Sequence, residues 1–174
     1  MNRLFRHIAT AVALLTLIAA ALACSNDEGC QGNRSSIPLA GFYSSQSGSK
    51  IQVDSISVFG IGMKGDTMIV DHARLIDRVY LPLNVADTLS RFVVRYDALS
   101  LAAFNLADTI SVTYKPIPYF HSEDCGAMYL FDIVDYSTTN VLIDSISFST
   151  MHIDNANKEN VRIFFRTQEE DVEQ

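Results

Sequence analysis

Three cysteines are the residues whose surroundings point most directly to chemistry. Cys24 follows Ala21-Leu22-Ala23, and two arginines precede the apolar run 8–22. That run is about 15 residues long, which is short for a membrane span of roughly 20 residues but typical of the apolar part of a signal peptide. A small residue followed by cysteine is the pattern at which a bacterial leader is cut and the cysteine takes lipid. The sequence therefore predicts a signal peptide over residues 1–23 and lipidation of Cys24.

The same residues allow a second interpretation. Ala21-Leu22-Ala23 also fits the A-x-A site of ordinary secretion, after which the protein would be soluble and Cys24 would keep its thiol. Lipidation is favoured because a cysteine directly after such a site is uncommon by chance. Each acyl CH₂ contributes about 0.8 kcal/mol, so more than one chain anchors a domain without a transmembrane helix. A membrane, contacted through the N-terminal lipid, is the first predicted partner.

Cys30 and Cys125 remain once Cys24 is assigned to lipid. An exported protein meets an oxidising compartment, where two cysteines commonly pair. A redox pair normally has C-x-x-C spacing, which these two lack. The sequence predicts a structural disulfide that ties the N-terminal segment to the domain.

Composition limits the possible functions. Residues 1–23 carry two basic residues and no acidic ones, so the chain after cleavage has a formal net charge of −9. An acidic chain without a basic stripe is not expected to bind nucleic acid. The length of the mature chain corresponds to one domain with its own core.

The pattern along the mature chain is one of short strands separated by turn residues. Period-2 alternation is clear in 91–96, 109–115 and 161–166, which predicts strands with one buried face. Without alternating helices, this indicates an all-β, antiparallel β-sandwich of about seven to eight strands, for which an immunoglobulin-like arrangement is one candidate. The predicted strands are Ile51–Phe59, Thr67–Asp71, Val79–Leu83, Arg91–Tyr96, Thr109–Lys115, Met128–Ile133, Val141–Thr150 and Val161–Arg166.

Four segments follow from this pattern. Residues 1–23 are the leader, 24–50 the lipidated N-terminus and tether, 51–167 the sandwich, and 168–174 an acidic tail. Pro82 removes a backbone donor, so the strand around it is predicted at a sheet edge. The segment 98–107 is expected to contain a turn of helix.

A short pattern, Asp-Ser-Ile-Ser, occurs at 54–57 and again at 144–147. In both copies the apolar phase slips by one residue at Asp-Ser. Because such a slip reverses the face of every later side chain, a bulge or bend is expected there.

Other motifs are weak evidence for catalysis. Gly60-Ile-Gly-Met-Lys-Gly65 fits G-x-G-x-x-G, but a strand rather than a helix follows it, so we interpret it as a hairpin connection. His121-Ser-Glu-Asp-Cys125 places His121, Glu123 and Asp124 together, but a metal site needs three or four ligands and partners would have to come from elsewhere, so we interpret the segment as a polar loop. The run 154–159 lacks calcium-loop spacing and is predicted to be a turn. No catalytic residue, metal site or cofactor is predicted, and the chain is not expected to be an enzyme.

The leader, the three cysteines, Leu81-Pro-Leu-Asn84 and Asn160-Val-Arg-Ile-Phe-Phe165 resemble an uncharacterised Bacteroidota lipoprotein family, a domain of unknown function. The resemblance implies an outer-membrane lipoprotein of the cell envelope, facing the periplasm or the surface. It supplies no catalytic residues.

The same resemblance gives the Asp-Ser/Thr pattern a second meaning. Bacteroidota O-glycosylation uses Asp-Ser/Thr followed by an apolar residue, and about one such match is expected here by chance. The alternative is that these residues enter strands through side-chain turns. Both interpretations stay open for the five matches, Ser55, Thr67, Thr88, Thr109 and Ser145.

These observations predict a lipid-anchored, non-enzymatic binding or structural module of the cell envelope. Its further partner is expected to be an unidentified envelope protein or glycan. The alternative is an accessory lipoprotein that binds carbohydrate or a metal ion.

Overall fold

The structure is a computed structural model that describes residues 35–62, 67–123 and 125–167. The chain divides into two compact units, Met1–Gln31 and Gly32–Gln174, and all described residues belong to the second. No helix in the described ranges is long and apolar enough to cross a membrane. The predicted leader, Cys24, Cys30 and the acidic tail 168–174 lie outside these ranges.

Ten strands and one short 3₁₀ helix form the described part of the chain. The 3₁₀ helix, Ala102–Phe104, lies within the segment that the sequence predicts to hold a helical turn. The strands are β1 Leu39–Ser44, β2 Ile56–Ile61, β3 Thr67–Ala73, β4 Arg78–Tyr80, β5 Leu89–Tyr96, β6 Ala107–Ser122, β7 Gly126–Thr138, β8 Ile143–Phe148, β9 His152–Ile153 and β10 Glu159–Phe165.

The strands form two sheets. A four-stranded sheet has the order β4-β1-β10-β8, and a six-stranded sheet has the order β3-β2-β5-β6-β7-β9. Every pairing is antiparallel except that of β1 with β10. The prediction of an all-β sandwich is confirmed, with a larger strand count than the sequence suggests.

The first strand corrects the predicted domain boundary. β1 lies between β4 and β10, and its Ala40 and Phe42 are buried in the core. The sequence assigns residues 24–50 to a tether, and this assignment is wrong for 39–44. Burial along β1 is almost continuous, so the strand lacks the alternation by which the other strands are recognised.

Where apolar and polar residues alternate clearly in the sequence, the apolar side chains form the core. Phe92, Val94 and Tyr96 of β5 are buried, whereas the intervening residues are more exposed. The same pattern holds in the first half of β6 and in β10. These inward-facing side chains belong to one hydrophobic cluster, which is the expected core of two facing sheets.

Both predicted irregularities at Asp-Ser occur. Ser55, directly before β2, has a left-handed backbone with φ of 55°. In β8 the pairing with β10 shifts between Ser145 and Ile143, which leaves Asp144 without an opposite residue. Each slip restores the inward direction, since Ile56 after the first slip is fully buried and Ile146 after the second slip is buried like Ile143 before it.

Three prolines lie at sheet edges. Pro82 follows β4, which forms one edge of the four-stranded sheet. Pro116 and Pro118 lie in β6 beyond Thr113, where its pairing with β5 ends. The Tyr114 amide donates toward the β5 side. Pro116 and Pro118 follow it by two and four residues, so their nitrogen atoms point to the same side of β6. Their missing N–H groups therefore fall on an open edge, where proline is tolerated.

Asp108, the second residue of β6, is a completely buried carboxylate. Buried carboxylates require hydrogen-bond donors, and here five donors come from two segments, β5 and residues 139–143 that lead from β7 into β8. Oδ1 accepts hydrogen bonds from the Thr139 hydroxyl at 2.9 Å and from the Val141 amide at 2.6 Å. Oδ2 accepts hydrogen bonds from the Tyr96 hydroxyl at 2.6 Å and from the amides of Leu142 at 2.8 Å and Ile143 at 2.9 Å.

These bonds join the two sheets. Asp108 belongs to the six-stranded sheet, whereas Ile143 begins β8 in the four-stranded sheet. The carboxylate therefore fixes the connection by which the chain leaves one sheet and enters the other. The three backbone amides would otherwise need water or another acceptor.

The charge of Asp108 is maintained by its donors. Burial alone raises the pKa of this carboxyl group, but the hydrogen bonds from Tyr96 and the backbone amides outweigh burial and hold the pKa below its ordinary value. Burial, together with the bond to Asp108, raises the pKa of Tyr96 above its usual range. At neutral pH the pair is therefore an ionised carboxylate and a neutral phenol.

We expect Asp108→Asn to lower the free energy of unfolding by on the order of 3 kcal/mol at pH 7. An asparagine amide has one acceptor oxygen and adds a donor, so buried donors lose their acceptor, at about 1–3 kcal/mol each. Urea unfolding of the purified protein measures this difference. Asp54→Asn is the matched control, because the Asp54 side chain is 44% exposed.

The pH dependence of this difference in unfolding free energy shows whether the charge of Asp108 causes it. A carboxyl group with a lowered pKa stabilises the fold above its unfolded pKa of about 3.9, and this contribution is lost as pH falls through the folded value. The stability gap between wild type and Asp108→Asn should therefore narrow below about pH 4. A gap that is constant from pH 7 to pH 3 would show that the charge does not matter.

Candidate functional site

A cleft opens beside the β2–β3 hairpin and has a volume of about 320 Å³. This volume lies at the lower end of the range typical of small-molecule sites. Ile61, Ile69, Pro82, Leu89 and Phe92 form its apolar walls. The polar lining residues are Thr67, Asn84, Asp87, Ser90 and Arg91.

Gly60 keeps one wall of the cleft open. It pairs with Thr67 of β3 on one side and with Phe92 of β5 on the other. A Cβ atom at Gly60 would meet only the Thr67 carbonyl oxygen at 3.8 Å and Ile69 Cδ1 at 3.9 Å, which are ordinary contacts. The backbone here would accept a side chain, and the missing side chain leaves space for a ligand.

Tyr114 holds the opposite wall in place. Its buried hydroxyl donates to the Asn84 carbonyl oxygen at 2.9 Å and accepts from the Asn84 amide at 2.8 Å. The same hydroxyl lies 2.7 Å from Ser90 Oγ. Burial raises the pKa of Tyr114, so the hydroxyl stays protonated and can donate. One side chain thus fixes both the connection after β4 and the start of β5.

The polar groups of the cleft differ in whether they already form hydrogen bonds or salt bridges within the protein. Asp87 Oδ1 accepts the Thr88 amide at 2.7 Å, and Asn84 Oδ1 accepts the Ala86 amide at 3.0 Å. Arg91 forms no salt bridge with any carboxylate in the described part of the chain. Because Arg91 and Phe92 are adjacent in β5, their side chains point to opposite faces of the sheet, and the Arg91 guanidinium is not on the face that Phe92 shares with Gly60.

The G-x-G-x-x-G match is part of a hairpin. β2 ends at Ile61, β3 begins at Thr67, and the two strands pair antiparallel. The interpretation of this segment as a hairpin connection is confirmed, although residues 63–66 lie outside the described ranges. Gly60 and Gly62 nevertheless line the cleft.

A second polar cluster lies on β2 and β5. The buried Ser57 hydroxyl donates to Asp97 and accepts the His72 backbone amide at 3.0 Å. Arg95 Nε donates to Asp97 Oδ1 at 2.7 Å. Burial alone raises the pKa of Asp97, but the bonds from Ser57 and Arg95 lower it overall. The His72 ring contacts Asp71 instead of Ser57, so this cluster does not place an imidazole base on the hydroxyl.

Potential metal ligands are dispersed. Within the described ranges, no three His, Cys, Asp or Glu side chains are grouped to hold a metal ion. Asp124, of the 121–125 motif, lies outside them. The predicted turn at 154–159 is confirmed, since Asp154 Oδ1 accepts the Ala156 amide at 3.1 Å and Oδ2 contacts Lys158 at 2.8 Å.

None of the five Asp-Ser/Thr residues is buried. Thr67, Thr88 and Ser145 are exposed, and Ser55 and Thr109 are half-buried. Their positions before or within strands suit both interpretations of the pattern. Asp108 shows that the aspartate of one copy has a structural role, which the pattern alone does not reveal. Modification of these residues stays a prediction.

Cys125 lies in the turn between β6 and β7, where its amide donates to Ser122 Oγ at 3.1 Å. Its side chain is disulfide-bonded. Cys24 and Cys30 both lie outside the described residues, so the pairing of Cys30 with Cys125 stays a prediction.

Comparison with known proteins identifies a family. Residues 55–165, well over half of the chain, match the model of a family of unknown function, DUF6452. The chain belongs to this family. No curated protein and no solved structure matches it.

The predicted resemblance to a domain of unknown function is confirmed. The assignment to Bacteroidota lipoproteins and the immunoglobulin-like arrangement stay predictions. The DUF6452 match spans the cleft, Asp108 and Tyr114.

We expect Tyr114→Phe to destabilise this DUF6452 protein by about 1–3 kcal/mol, because Asn84 and Ser90 lose their buried partner. Hydrogen exchange of the Asn84 amide should accelerate more than that of core strands. Tyr129→Phe is the matched control, since Tyr129 is 40% exposed. Equal exchange rates for Asn84 in wild type and Tyr114→Phe would contradict a positioning role for this hydroxyl.

Proposed function

We propose that this protein is a lipid-anchored module of the bacterial cell envelope that binds an envelope component through the cleft beside the β2–β3 hairpin. The cleft is the observation that carries the binding role. It combines apolar walls with a few polar groups, which is the usual composition of a ligand site. Its volume of about 320 Å³ suits a small molecule or one side group of a larger partner.

The proposed role is non-enzymatic. Catalysis requires a nucleophile, base or metal next to the bound group. Ser90, the serine that lines the cleft, is hydrogen-bonded to Tyr114, and no hydrogen bond joins it to a histidine among the described residues. Asp87 can bind charge, but within the described ranges no hydrogen bond pairs its carboxylate with a nucleophilic side chain. Recognition is therefore the role that these side chains support best.

The proposed anchor comes from the sequence of the leader. Two arginines, an apolar run and Ala23-Cys24 fit export followed by lipidation of Cys24, and the family resemblance adds the outer membrane as the proposed location. A Cys30–Cys125 disulfide would fasten the segment that follows the anchor to the β6–β7 hairpin.

We expect Cys24→Ala to release the protein from the membrane fraction of the native host, because the acyl chains supply the anchoring energy. Fractionation with a salt wash, followed by immunoblotting, measures the release. Ser25→Ala is the matched control and should stay in the membrane pellet. Complete retention of Cys24→Ala after the wash would refute the lipid anchor.

Surface glycosylation is a second proposed property, supported by the accessibility of the Asp-Ser/Thr hydroxyls. Intact mass of the mature protein from its native host should then exceed peptide plus lipid. The excess should disappear when Ser55, Thr67, Thr88, Thr109 and Ser145 are all changed to alanine. A wild-type mass equal to peptide plus lipid would leave only the structural role of the pattern.

A further inference from the structure

The β6–β7 hairpin reaches beyond the sheet to which it belongs. The pairing of β5 with β6 ends at Thr113, and β9 pairs with β7 at Phe131 and Asp132. Among the described strands, residues 116–122 of β6 and 126–130 of β7 therefore pair only with each other. They form a two-stranded ribbon that projects from one end of the domain.

One face of this ribbon continues the core face of the sheet. Phe131 is buried and belongs to the hydrophobic core. Because side chains alternate along a strand, Tyr129 and Ala127 lie on the same face as Phe131. The register places Pro118 opposite Tyr129 and Phe120 opposite Ala127. The face that is buried at Phe131 is thus continued by four further side chains toward the turn.

These four side chains, Pro118, Phe120, Ala127 and Tyr129, are here named the tip strip. All four are exposed, and Phe120 is 65% exposed. Adjacent apolar side chains left in contact with water mark surfaces that bind a protein or a membrane. Tyrosine and phenylalanine are also the side chains that proteins place at the boundary between lipid headgroups and acyl chains.

The proposed anchor limits how far the tip strip can lie from lipid. Cys125, in the turn of the same hairpin, is disulfide-bonded, and Cys30 is its proposed partner. Cys24 and Cys30 are six residues apart. An extended chain of six residues spans at most about 22 Å, and the Cα atoms of bridged cysteines lie about 6 Å apart. With this pairing, the acylated residue lies within about 28 Å of Cys125.

We propose that the tip strip docks on the lipid surface that holds the acyl chains, with Phe120 and Tyr129 inserted among the headgroups. The inference rests on the proposed lipid anchor and is independent of the cleft. The strip carries no charged side chain, and the mature chain has a net charge of −9, so the contact is apolar and suits a zwitterionic surface. Acyl chains and strip together fix the orientation of the domain, which the acyl chains alone leave free.

The sequence offers a direct test, because the chain contains no tryptophan. Phe120→Trp introduces a single fluorophore on the tip strip. The purified, acylated protein is placed in phosphatidylcholine vesicles with ordinary or brominated acyl chains, and bromine quenches tryptophan only at short range. Because interfacial side chains reach about 5–10 Å into the headgroup and acyl boundary, brominated lipid should lower the emission at least about twofold.

Phe104→Trp is the matched control, since Phe104 is a phenylalanine of similar exposure, at 69%. It precedes β6, and the strand from Ala107 to Phe120 spans about 40 Å at about 3.3 Å per residue. Its emission should be the same in ordinary and in brominated vesicles. Equal quenching of Phe120→Trp and Phe104→Trp would overturn the proposal.

A charge on the strip tests the same contact in the Phe120→Trp protein. Adding Tyr129→Glu places a carboxylate on the strip, and since a carboxylate resists transfer from water into apolar surroundings, quenching should fall at least about twofold. Val134→Glu is the matched control, because it adds the same charge at an exposed position of β7 outside the strip. Equal quenching with either glutamate would contradict insertion of the strip.

Flotation of the vesicles in a density gradient separates this inference from the proposed function. Protein that floats while Phe120→Trp is not quenched refutes docking of the strip and leaves the anchor intact. Protein that does not float refutes the anchor and the docking that rests on it. A blue shift of Phe120→Trp that grows with protein density and is insensitive to bromine would assign the strip to a second copy of the chain instead.

Discussion

A buried carboxylate that forms no salt bridge within the described part of the chain joins the two sheets of this sandwich. Asp108 accepts hydrogen bonds from β5, from the end of the β7 region and from three consecutive amides at the start of β8. A charge in such a position is unfavourable unless nearly all of its acceptor capacity is used. Because the donors come from both sheets, the favourable state exists only when both sheets are assembled. The fold therefore depends on parts of the chain that are distant in sequence and meet at this one carboxylate.

The same principle operates at the cleft with a neutral group. The Tyr114 hydroxyl is buried, so it needs partners, and Asn84 and Ser90 provide them. Satisfying this hydroxyl fixes the connection that forms one wall of the cleft. Across the space, Gly60 contributes no side chain. A rigid polar contact on one side and a missing side chain on the other together produce an open, apolar space in an otherwise packed domain.

The sequence predicts the parts of the fold that depend on local periodicity. β5, the first half of β6 and β10 alternate strictly, and both phase slips at Asp-Ser correspond to real irregularities. Periodicity does not reveal β1, because its burial is almost continuous and its neighbours in space, β4 and β10, are far away in sequence. Gly41 illustrates the reason: a Cβ there would meet the carboxylate of Glu159, so a side chain at this position would displace a residue that lies more than a hundred positions later. The cleft and the role of Asp108 also arise from distant contacts. The alternation of β6 places Tyr114 in phase with buried residues, but the sequence does not indicate that its hydroxyl bonds Asn84 and Ser90.

Hydrogen exchange at the start of β8 tests the role of Asp108 most directly. Val141 has an exposed side chain in a short connection, so its amide would exchange quickly if exposure alone decided the rate. If Asp108 binds the amides of Val141, Leu142 and Ile143 as described, all three should exchange only through global unfolding, at the rate of the core amides of β5. Fast exchange of Val141 and Leu142 beside protected β5 amides would contradict the account, because it would show that the two sheets stay together without this carboxylate.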